Sequence, residues 1–129
     1  MLASKKVKSI AVSNFSPDQL DCILANKTAT IPAVNQMPFS VGSWDKTLIP
    51  ADNQRGGIVV QAYSPLGGGS VITNADCIAI GKVHNKSSAQ VALRWIVQHN
   101  ATFTTEADSL AYFQEDVSIF DFTLTAAEM

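Results

Sequence analysis

The sequence predicts an α/β fold in which four short parallel strands are covered by helices. The first observation behind this prediction is that runs rich in Val, Ile or Phe alternate with amphipathic segments, which is the pattern of βα units. The second is the composition, because 47% hydrophobic and 16% charged residues in a chain of 129 are typical of a globular domain. With no low-complexity linker along the chain, we expect a single domain over residues 1–129.

The predicted strands are short and follow one another at the spacing of βα units. They are Ser9–Val12, Pro32–Gln36, Ile58–Tyr63 and Thr102–Thr105. Three of the four are rich in Val, Ile or Phe, and such continuous apolar runs suit strands that are buried on both faces. The pattern therefore predicts a parallel sheet with helices against it.

The first two helical segments differ in quality. The first is predicted over Pro17–Leu24, because Ser16 is a good N-cap, a proline occupies the first helical position and Gln19 completes a capping box. The second covers Trp44–Gln54 and contains Pro50, which would remove an interior hydrogen bond at a cost of roughly 3 kcal/mol. We expect a broken or irregular helix there.

Three further helices are predicted in the second half of the chain. A short one covers Asp76–Val83, and the strongest is capped by Ser87 or Ser88 and runs to about His99 with apolar residues at mostly helical spacing. The last helix is predicted over Ser109–Glu115.

Charge and cysteine content exclude several classes of function. The formal net charge is −2 and most basic residues are scattered, so no nucleic-acid partner is expected. Cys22 and Cys77 occur without a CxxC or Cys/His pattern, so no metal site or disulfide is predicted. The chain has no apolar run of about 18 residues and no segment resembling a secretory signal. We therefore expect no transmembrane segment, no secretion, and a cytoplasmic or other reducing compartment.

Four segments together resemble a known family. They read VKSIAVSNF at 7–15, VNQ at 34–36, VQAYSPLG at 60–67 and IFDFTLTAAEM at 119–129. Their order and spacing are similar to those of the aldo-keto reductases, whose complete members are (β/α)8 TIM barrels of about 250 residues or more. The resemblance implies that this chain corresponds to the C-terminal half of such a barrel, its last four βα units, beginning at the fifth strand.

The resemblance also implies a nicotinamide cofactor, NAD(P)H, and an ancestral activity of carbonyl reduction. By matching position, Ser13, Asn14 and Gln36 would hydrogen-bond the carboxamide of the nicotinamide, and Tyr63 would stack on its ring. Taken without the resemblance, Ser and Asn at a strand end are more typical of a turn or a helix cap. The family often has an acidic residue and a His-Pro pair after VNQ, whereas this chain has Met-Pro-Phe, so the substrate-side loop differs.

The next implied contacts lie along the pyrophosphate and the adenine. Ser64, Leu66 and Gly67 would border the pyrophosphate, because the glycines from Gly67 onward let the backbone approach a phosphate closely. Glu115 matches an acidic family residue near the adenine. The alternative interpretations are a flexible glycine turn and a solvated acidic helix face.

One part of the family pattern is altered. NADP-dependent members hold the adenosine 2′-phosphate with a Pro-Lys-Ser string and a following Arg. When positions are counted back from the FDF of residues 120–122, Glu106 occupies the Lys position, Ala107 the Ser position and Tyr112 the Arg position. Each lost charge-assisted contact would remove about 1.5–3 kcal/mol. Two such losses predict NADPH binding weaker by at least about a hundredfold, which favours NADH.

The catalytic residues of the family have no matching position here. Its Tyr, Lys, Asp and His come from the first four βα units, so no catalytic residue is predicted in this chain. We therefore expect a pseudoenzyme or a structural or assembly subunit. The alternatives are the C-terminal half of a split or truncated active reductase that needs an N-terminal half, and a rearranged small α/β domain that serves as a binding surface.

A half-barrel also implies a partner. Its sheet would have two open edges and an apolar inner face with nothing against it, and such surfaces either pair or rearrange. We expect a second copy, an N-terminal half or another protein to cover them.

Overall fold

The computed structural model describes residues 2–26 and 28–129, and it contains the predicted four-stranded parallel sheet. The strands are β1 (Ala11–Ser13), β2 (Val34–Pro38), β3 (Val59–Tyr63) and β4 (Thr102–Phe103), and their order in the sheet is β1-β2-β3-β4. Neighbours in sequence are neighbours in space, as in consecutive units of a (β/α)8 barrel. The fold class predicted from the sequence is confirmed, and a rearrangement of the strands is ruled out.

The strand limits differ from the predicted ones at several ends. β1 and β2 both begin about two residues later than predicted, because the ladder between them starts at the pair Ala11 and Val34. β2 continues to Pro38, which pairs with Tyr63 at the end of β3. β4 is shorter than predicted, although the Thr104 N–H still donates to the Ala62 carbonyl over 2.9 Å. Apolar composition indicates where a strand lies, whereas hydrogen-bonded pairing decides where it ends.

The described residues form five α-helices and a short 3-10 turn at Gly67–Gly69. The helices are α1 (Pro17–Leu24), α2 (Leu48–Gln54), α3 (Ala75–His84), α4 (Ser88–Gln98) and α5 (Leu110–Val117). The limits of α1 agree with the prediction, and its capping box between Ser16 and Gln19 is present.

The prediction of an irregular helix over Trp44–Gln54 is wrong about where the helix starts and about the effect of its proline. α2 begins at Leu48 instead of Trp44, so Pro50 lies in its first turn. The N–H groups of a first helical turn have no partner inside the helix, and a proline there sacrifices no hydrogen bond. The helix is therefore shorter than predicted but regular.

The two faces of the sheet have different chemistry. The face toward the helices is buried and carries Val60 and Ala62, which pack in a core with Leu93, Ile96 and Ile119. On the opposite face four polar residues lie side by side in the strand register: Ser13, Gln36, Gln61 and Thr102. The expected apolar inner face is therefore wrong at this level of the sheet, because alternate strand positions place these polar side chains there.

Candidate functional site

The turn after β1 brings the first two predicted site residues to the C-terminal edge of the sheet. Asn14 has a φ of 58°, so the chain leaves the strand at this residue. The Asn14 N–H donates to the Gln36 carbonyl over 2.9 Å, and Ser13 Oγ donates to the same oxygen over 3.1 Å. Asn14 Nδ2 donates to Ser13 Oγ over 3.1 Å. Ser13 and Asn14 are thus fixed against the end of β2.

The other two residues of the predicted nicotinamide site join the same network. The Tyr63 hydroxyl donates to Asn14 Oδ1 over 3.2 Å, although the two residues are 49 positions apart. Gln36 Nε2 donates to Gln61 Oε1 over 2.7 Å. The structure therefore brings Ser13, Asn14, Gln36 and Tyr63 together at one edge of the sheet.

This arrangement is suited to a planar amide ligand. The C-terminal edge of parallel strands is where active sites of (β/α)8 barrels lie. Gln36 Oε1 makes no hydrogen bond within residues 2–26 and 28–129, so it is available as an acceptor. The Asn14 amide and the Ser13 hydroxyl supply further donor and acceptor atoms, and the Tyr63 ring supplies an aromatic face beside them.

The loop after β3 forms one wall of a groove of about 420 Å³. Ser64 turns the chain with a φ of 50°, and Gly67 follows with a φ of 58°. The groove is lined by Ser64, Pro65, Leu66, Gly68 and Gly69 on one side and by Thr104, Thr105 and Glu106 on the other. Of the residues predicted to border a pyrophosphate, Ser64 and Leu66 line this groove, whereas Gly67 lies in the turn beside it, with a positive φ that side chains rarely adopt.

A second cavity, of about 480 Å³, continues from this groove and shares Leu66 and Glu106 with it. Four carboxylates line it: Glu106, Asp108, Glu115 and Asp116. The other lining residues are Ile72, Ser87, Ser88, Ala89 and Tyr112, so among the described residues no Lys, Arg or His belongs to the wall. Burial, and then the neighbouring Glu115 carboxylate, raise the pKa of Asp116 above that of an ordinary aspartate.

The carboxylates of this cavity are not neutralised by ion pairs. Within the described part of the chain the ion pairs join Arg55 to Asp21, His84 to Glu128 and Lys86 to Asp121. Lys86 is the lysine at the N-terminal side of α4, and its Nζ is held by Asp121 at 2.7 Å and by the Ser118 carbonyl at 3.1 Å. A 2′-phosphate in this cavity would therefore meet uncompensated negative charge.

Sequence reasoning missed several residues of the site. Gln61 holds Gln36 and lies on the same face of β3 as Tyr63, a placement that the two-residue period of a strand could have indicated. Thr104 and Thr105 line the groove directly after β4. Their position at a strand end was the available signal.

The histidines have structural partners away from the sheet edge. His84 Nε2 lies 3.0 Å from Glu128 Oε1, and His99 Nδ1 lies 2.8 Å from the Trp95 carbonyl. The His99 ring also packs against Phe39 and Trp44. Neither histidine joins the network of Ser13, Asn14, Gln36 and Tyr63.

Residues 2–26 and 28–129 contain neither a cluster of metal ligands nor a helix that could span a membrane. Over these ranges, no group of three or more His, Cys, Asp or Glu side chains is arranged to hold a metal ion. The helices built from the same residues include none that is both long and apolar enough to cross a membrane.

Comparison with known proteins extends these observations. The family model described as the aldo/keto reductase family matches residues 3–129. An aldo-keto reductase of Mycolicibacterium vanbaalenii is 37% identical over 122 residues, which are 95% of this chain and 43% of that protein. An aldo-keto reductase from a Medee basin deep-sea metagenome library superposes with a TM-score of 0.91 at 27% identity, over 99% of this chain and 47% of that one.

A crystal structure of a Gox0644 variant in complex with NADPH superposes with a TM-score of 0.88 at 28% identity. This match covers 98% of the chain and 46% of Gox0644. The chain therefore spans less than half the length of each of these relatives, and along that part it keeps their fold.

Proposed function

The chain belongs to the aldo/keto reductase family, and on that premise we propose that it binds a nicotinamide dinucleotide across the C-terminal ends of its four strands. In this proposal residues 1–129 act as one half-barrel domain. The nicotinamide would lie against the network of Ser13, Asn14, Gln36 and Tyr63. The pyrophosphate would follow the groove at Ser64 and Leu66, and the adenosine would enter the cavity beside Glu115.

The observation that carries this proposal is the continuous hydrogen-bond network that links the predicted nicotinamide residues at the sheet edge. Tyr63 bonds Asn14, which bonds Ser13, and the Gln36 carbonyl accepts from both members of that pair. A set of neutral donors and acceptors that is already fixed loses little conformational entropy when a ligand binds. The network therefore offers a preformed place for a carboxamide.

Charge in the adenosine cavity favours NADH over NADPH. Glu106 and Tyr112 line the cavity, where the NADP-dependent pattern has basic residues. Carboxylates there would repel a 2′-phosphate but could accept hydrogen bonds from the 2′- and 3′-hydroxyls of NADH, as acidic residues do in other dinucleotide sites. We propose NADH as the preferred nucleotide.

The same geometry supports a chain that does not reduce carbonyl compounds by itself. Of the two tyrosines, Tyr63 has its proton engaged by Asn14 and Tyr112 lies exposed in the adenosine cavity. Neither has a lysine partner among the hydrogen bonds of the described residues. Hydride transfer without a general acid at the carbonyl oxygen loses roughly a hundredfold to ten-thousandfold in rate. We propose that the isolated chain is a pseudoenzyme or an assembly subunit.

A second candidate, half of a split or truncated active reductase, is supported by the unaltered barrel geometry. The chain superposes on less than half of complete relatives with TM-scores of 0.88 and 0.91. β1 and β4 are each paired on one side only. Several apolar side chains at the β4 end are exposed, including Leu110 at 71% and Phe120 at 69%. In this proposal a protein partner, either a second copy or an N-terminal half, covers them.

The test of nucleotide binding is a fluorescence titration of the full 129-residue chain with NADH. Saturable binding is expected, and Gln36→Ala should weaken it by about two- to tenfold because one carboxamide hydrogen bond is lost. Gln54→Ala, at the exposed end of α2, is the matched control and should bind as the wild type does. Absence of saturable NADH binding to the wild type would contradict the proposed function.

Carbonyl reduction separates the two candidates. The chain alone, assayed with NADH and a panel of aldehydes, should not oxidise NADH above the background rate. Turnover on adding a polypeptide with the first four βα units of a reductase would favour the split enzyme. Turnover by the chain alone would contradict both candidates.

A further inference from the structure

Behind the nicotinamide side lies a buried polar pair that the proposed function does not use. Asn35, on the helix-facing side of β2, and Asp52, in α2, are both 0% exposed. Asn35 Nδ2 donates to Asp52 Oδ2 over 3.0 Å. The other oxygen, Asp52 Oδ1, is buried and has no hydrogen-bond partner within the described part of the chain.

This pair is costly for the fold. A buried carboxylate oxygen without a partner carries an uncompensated desolvation penalty. Burial raises the pKa of Asp52, against the opposing effects of the Asn35 hydrogen bond and the charge of Arg55. A residue that lowers stability in a packed core is expected where it serves another purpose.

Beyond the end of β1, the Asn35 side chain supplies the hydrogen bonds that a neighbouring strand would otherwise make. Because the chain turns at Asn14, the next residue, Phe15, lies beyond the last paired residue of β1. Asn35 Nδ2 donates to the Phe15 carbonyl over 2.9 Å, and Asn35 Oδ1 accepts from the Phe15 N–H over 3.3 Å. One buried amide thus holds both backbone polar groups of the residue that follows the Ser13–Asn14 turn.

We propose that Asp52 is a positioning residue for the nicotinamide side of the site, acting through Asn35 and the Phe15 backbone on the Ser13–Asn14 turn. An ionised carboxylate can only accept a hydrogen bond, so it requires the nitrogen of the Asn35 amide to face it. In that orientation Asn35 Oδ1 faces the Phe15 N–H. A rotated amide would place two N–H donors against each other and release the turn. The inference rests on the proposed function, because contact between the turn and the nicotinamide is its premise.

The test compares NADH with ADP-ribose, which keeps the adenosine and pyrophosphate groups but lacks the nicotinamide. Asp52→Ala removes the acceptor and should raise the Kd for NADH by about tenfold, the size of one buried hydrogen bond. The Kd for ADP-ribose should stay within about twofold of the wild type, because its contacts lie on the other side of the site. Asp52→Asn can still present an oxygen to Asn35 Nδ2 and should restore the wild-type ratio of the two affinities.

Stability is the second measurement. Two effects of Asp52→Ala on stability oppose each other: Asn35 Nδ2 loses a buried acceptor, whereas the orphaned oxygen is removed and α2 gains a strong helix former. The urea midpoint should therefore stay near that of the wild type. Should Asp52→Ala not fold, Asp52→Val, which fills more of the space, takes its place in the same comparison.

Each outcome decides a different question. A parallel loss of NADH and ADP-ribose affinity would mean that Asp52 is merely structural and would overturn the proposal. An unchanged ratio in Asp52→Ala, or in Asp52→Val where it takes that variant's place, would overturn it as well. If Asp52→Asn also weakened NADH relative to ADP-ribose, the role of the hydrogen-bond acceptor would be overturned. If the wild type binds neither ligand, it is the proposed function that fails.

Discussion

The nicotinamide side and the adenosine side of the proposed site are built on the same sheet edge but differ in chemistry. The nicotinamide side is a closed network of neutral amides and hydroxyls around Asn14. The adenosine side is a cavity with four carboxylates and no basic residue in its wall. In the proposal, the first side keeps the residue types that the family resemblance implies, whereas the second is acidic where the resemblance implies basic residues.

This difference teaches that the fold and the charge of a site are specified by different residues. The adenosine cavity is shaped by α5, which is capped by Ser109 and followed by the fully buried Ile119. Glu106, which changes the charge, is exposed and takes no part in that packing. We propose that a change of charge at this strand end alters the nucleotide preference without a cost to the fold.

The largest effect is expected from making two residues of the adenosine cavity basic. The double variant Glu106→Lys/Tyr112→Arg should tighten NADPH binding by at least about a hundredfold, because two charge-assisted contacts to the 2′-phosphate become possible. NADH binding should change much less. The control Asp18→Lys/Gln54→Arg makes the same change in net charge at exposed positions outside the site. An equal gain in the control would mean that total charge, rather than the cavity, sets the preference.

A smaller effect is expected at the aromatic face. Tyr63→Ala should weaken both NADH and NADPH by about tenfold, because the ring that would stack on the nicotinamide is lost. Tyr63→Phe keeps the ring and loses only the 3.2 Å hydrogen bond to Asn14, so it should weaken binding by about two- to fivefold, the net value of one hydrogen bond. Titration by nucleotide fluorescence measures both. A change in the NADPH to NADH ratio would show that the two sides are coupled.

A weaker effect on NADH affinity is expected when Gln61 is replaced. Gln61→Leu removes the 2.7 Å hydrogen bond that holds the Gln36 amide. NADH affinity should fall by about two- to fivefold, the net value of one hydrogen bond. Thr102→Val, next to Gln61 in the same row of the sheet, is the control, and it should bind NADH as the wild type does. Equal effects of the two substitutions would contradict a specific role for Gln61.

The smallest predicted effect is a dependence on pH. Because burial and Glu115 raise the pKa of Asp116, this carboxylate gains its proton at a higher pH than an ordinary aspartate as the pH falls. The cavity then carries less negative charge, although Glu106 and Asp108 also face it. As the pH falls below neutral, the preference for NADH should therefore narrow more in the wild type than in Asp116→Asn. An identical pH response in the two proteins would contradict the assignment.

Most of the fold could be predicted from the sequence because its signals are local. The Ser16 cap with a proline at the first position defines α1, and the Ser87 cap with Gln90 three residues later starts α4. Pro50 was misinterpreted because the same residue disrupts a helix interior and is tolerated in a first turn, and only the start of α2 distinguishes the two. Strand ends depend on pairing with a distant segment and could not be located as well.

The candidate site was predicted in part for a similar reason. Residues within recognisable strings, such as Asn14 and Tyr63, could be assigned to it, and the structure brings them within hydrogen-bonding distance. The buried pair of Asn35 and Asp52 could not be predicted, because a polar residue in a strand and one in a helix give no local sign that they meet. Ser13 and Gln36 of the polar row on the inner face were predicted from the strings that contain them, whereas Gln61 was missed because it lies in a strand of apolar composition.

The most direct test of the two-sided account is the ratio of the NADPH and NADH dissociation constants of the unmodified chain, measured at one ionic strength by nucleotide fluorescence. The account predicts saturable binding of NADH, with NADPH weaker by at least about a hundredfold. Equal affinities, or NADPH tighter than NADH, would contradict the claim that the carboxylates of the adenosine cavity select the nucleotide.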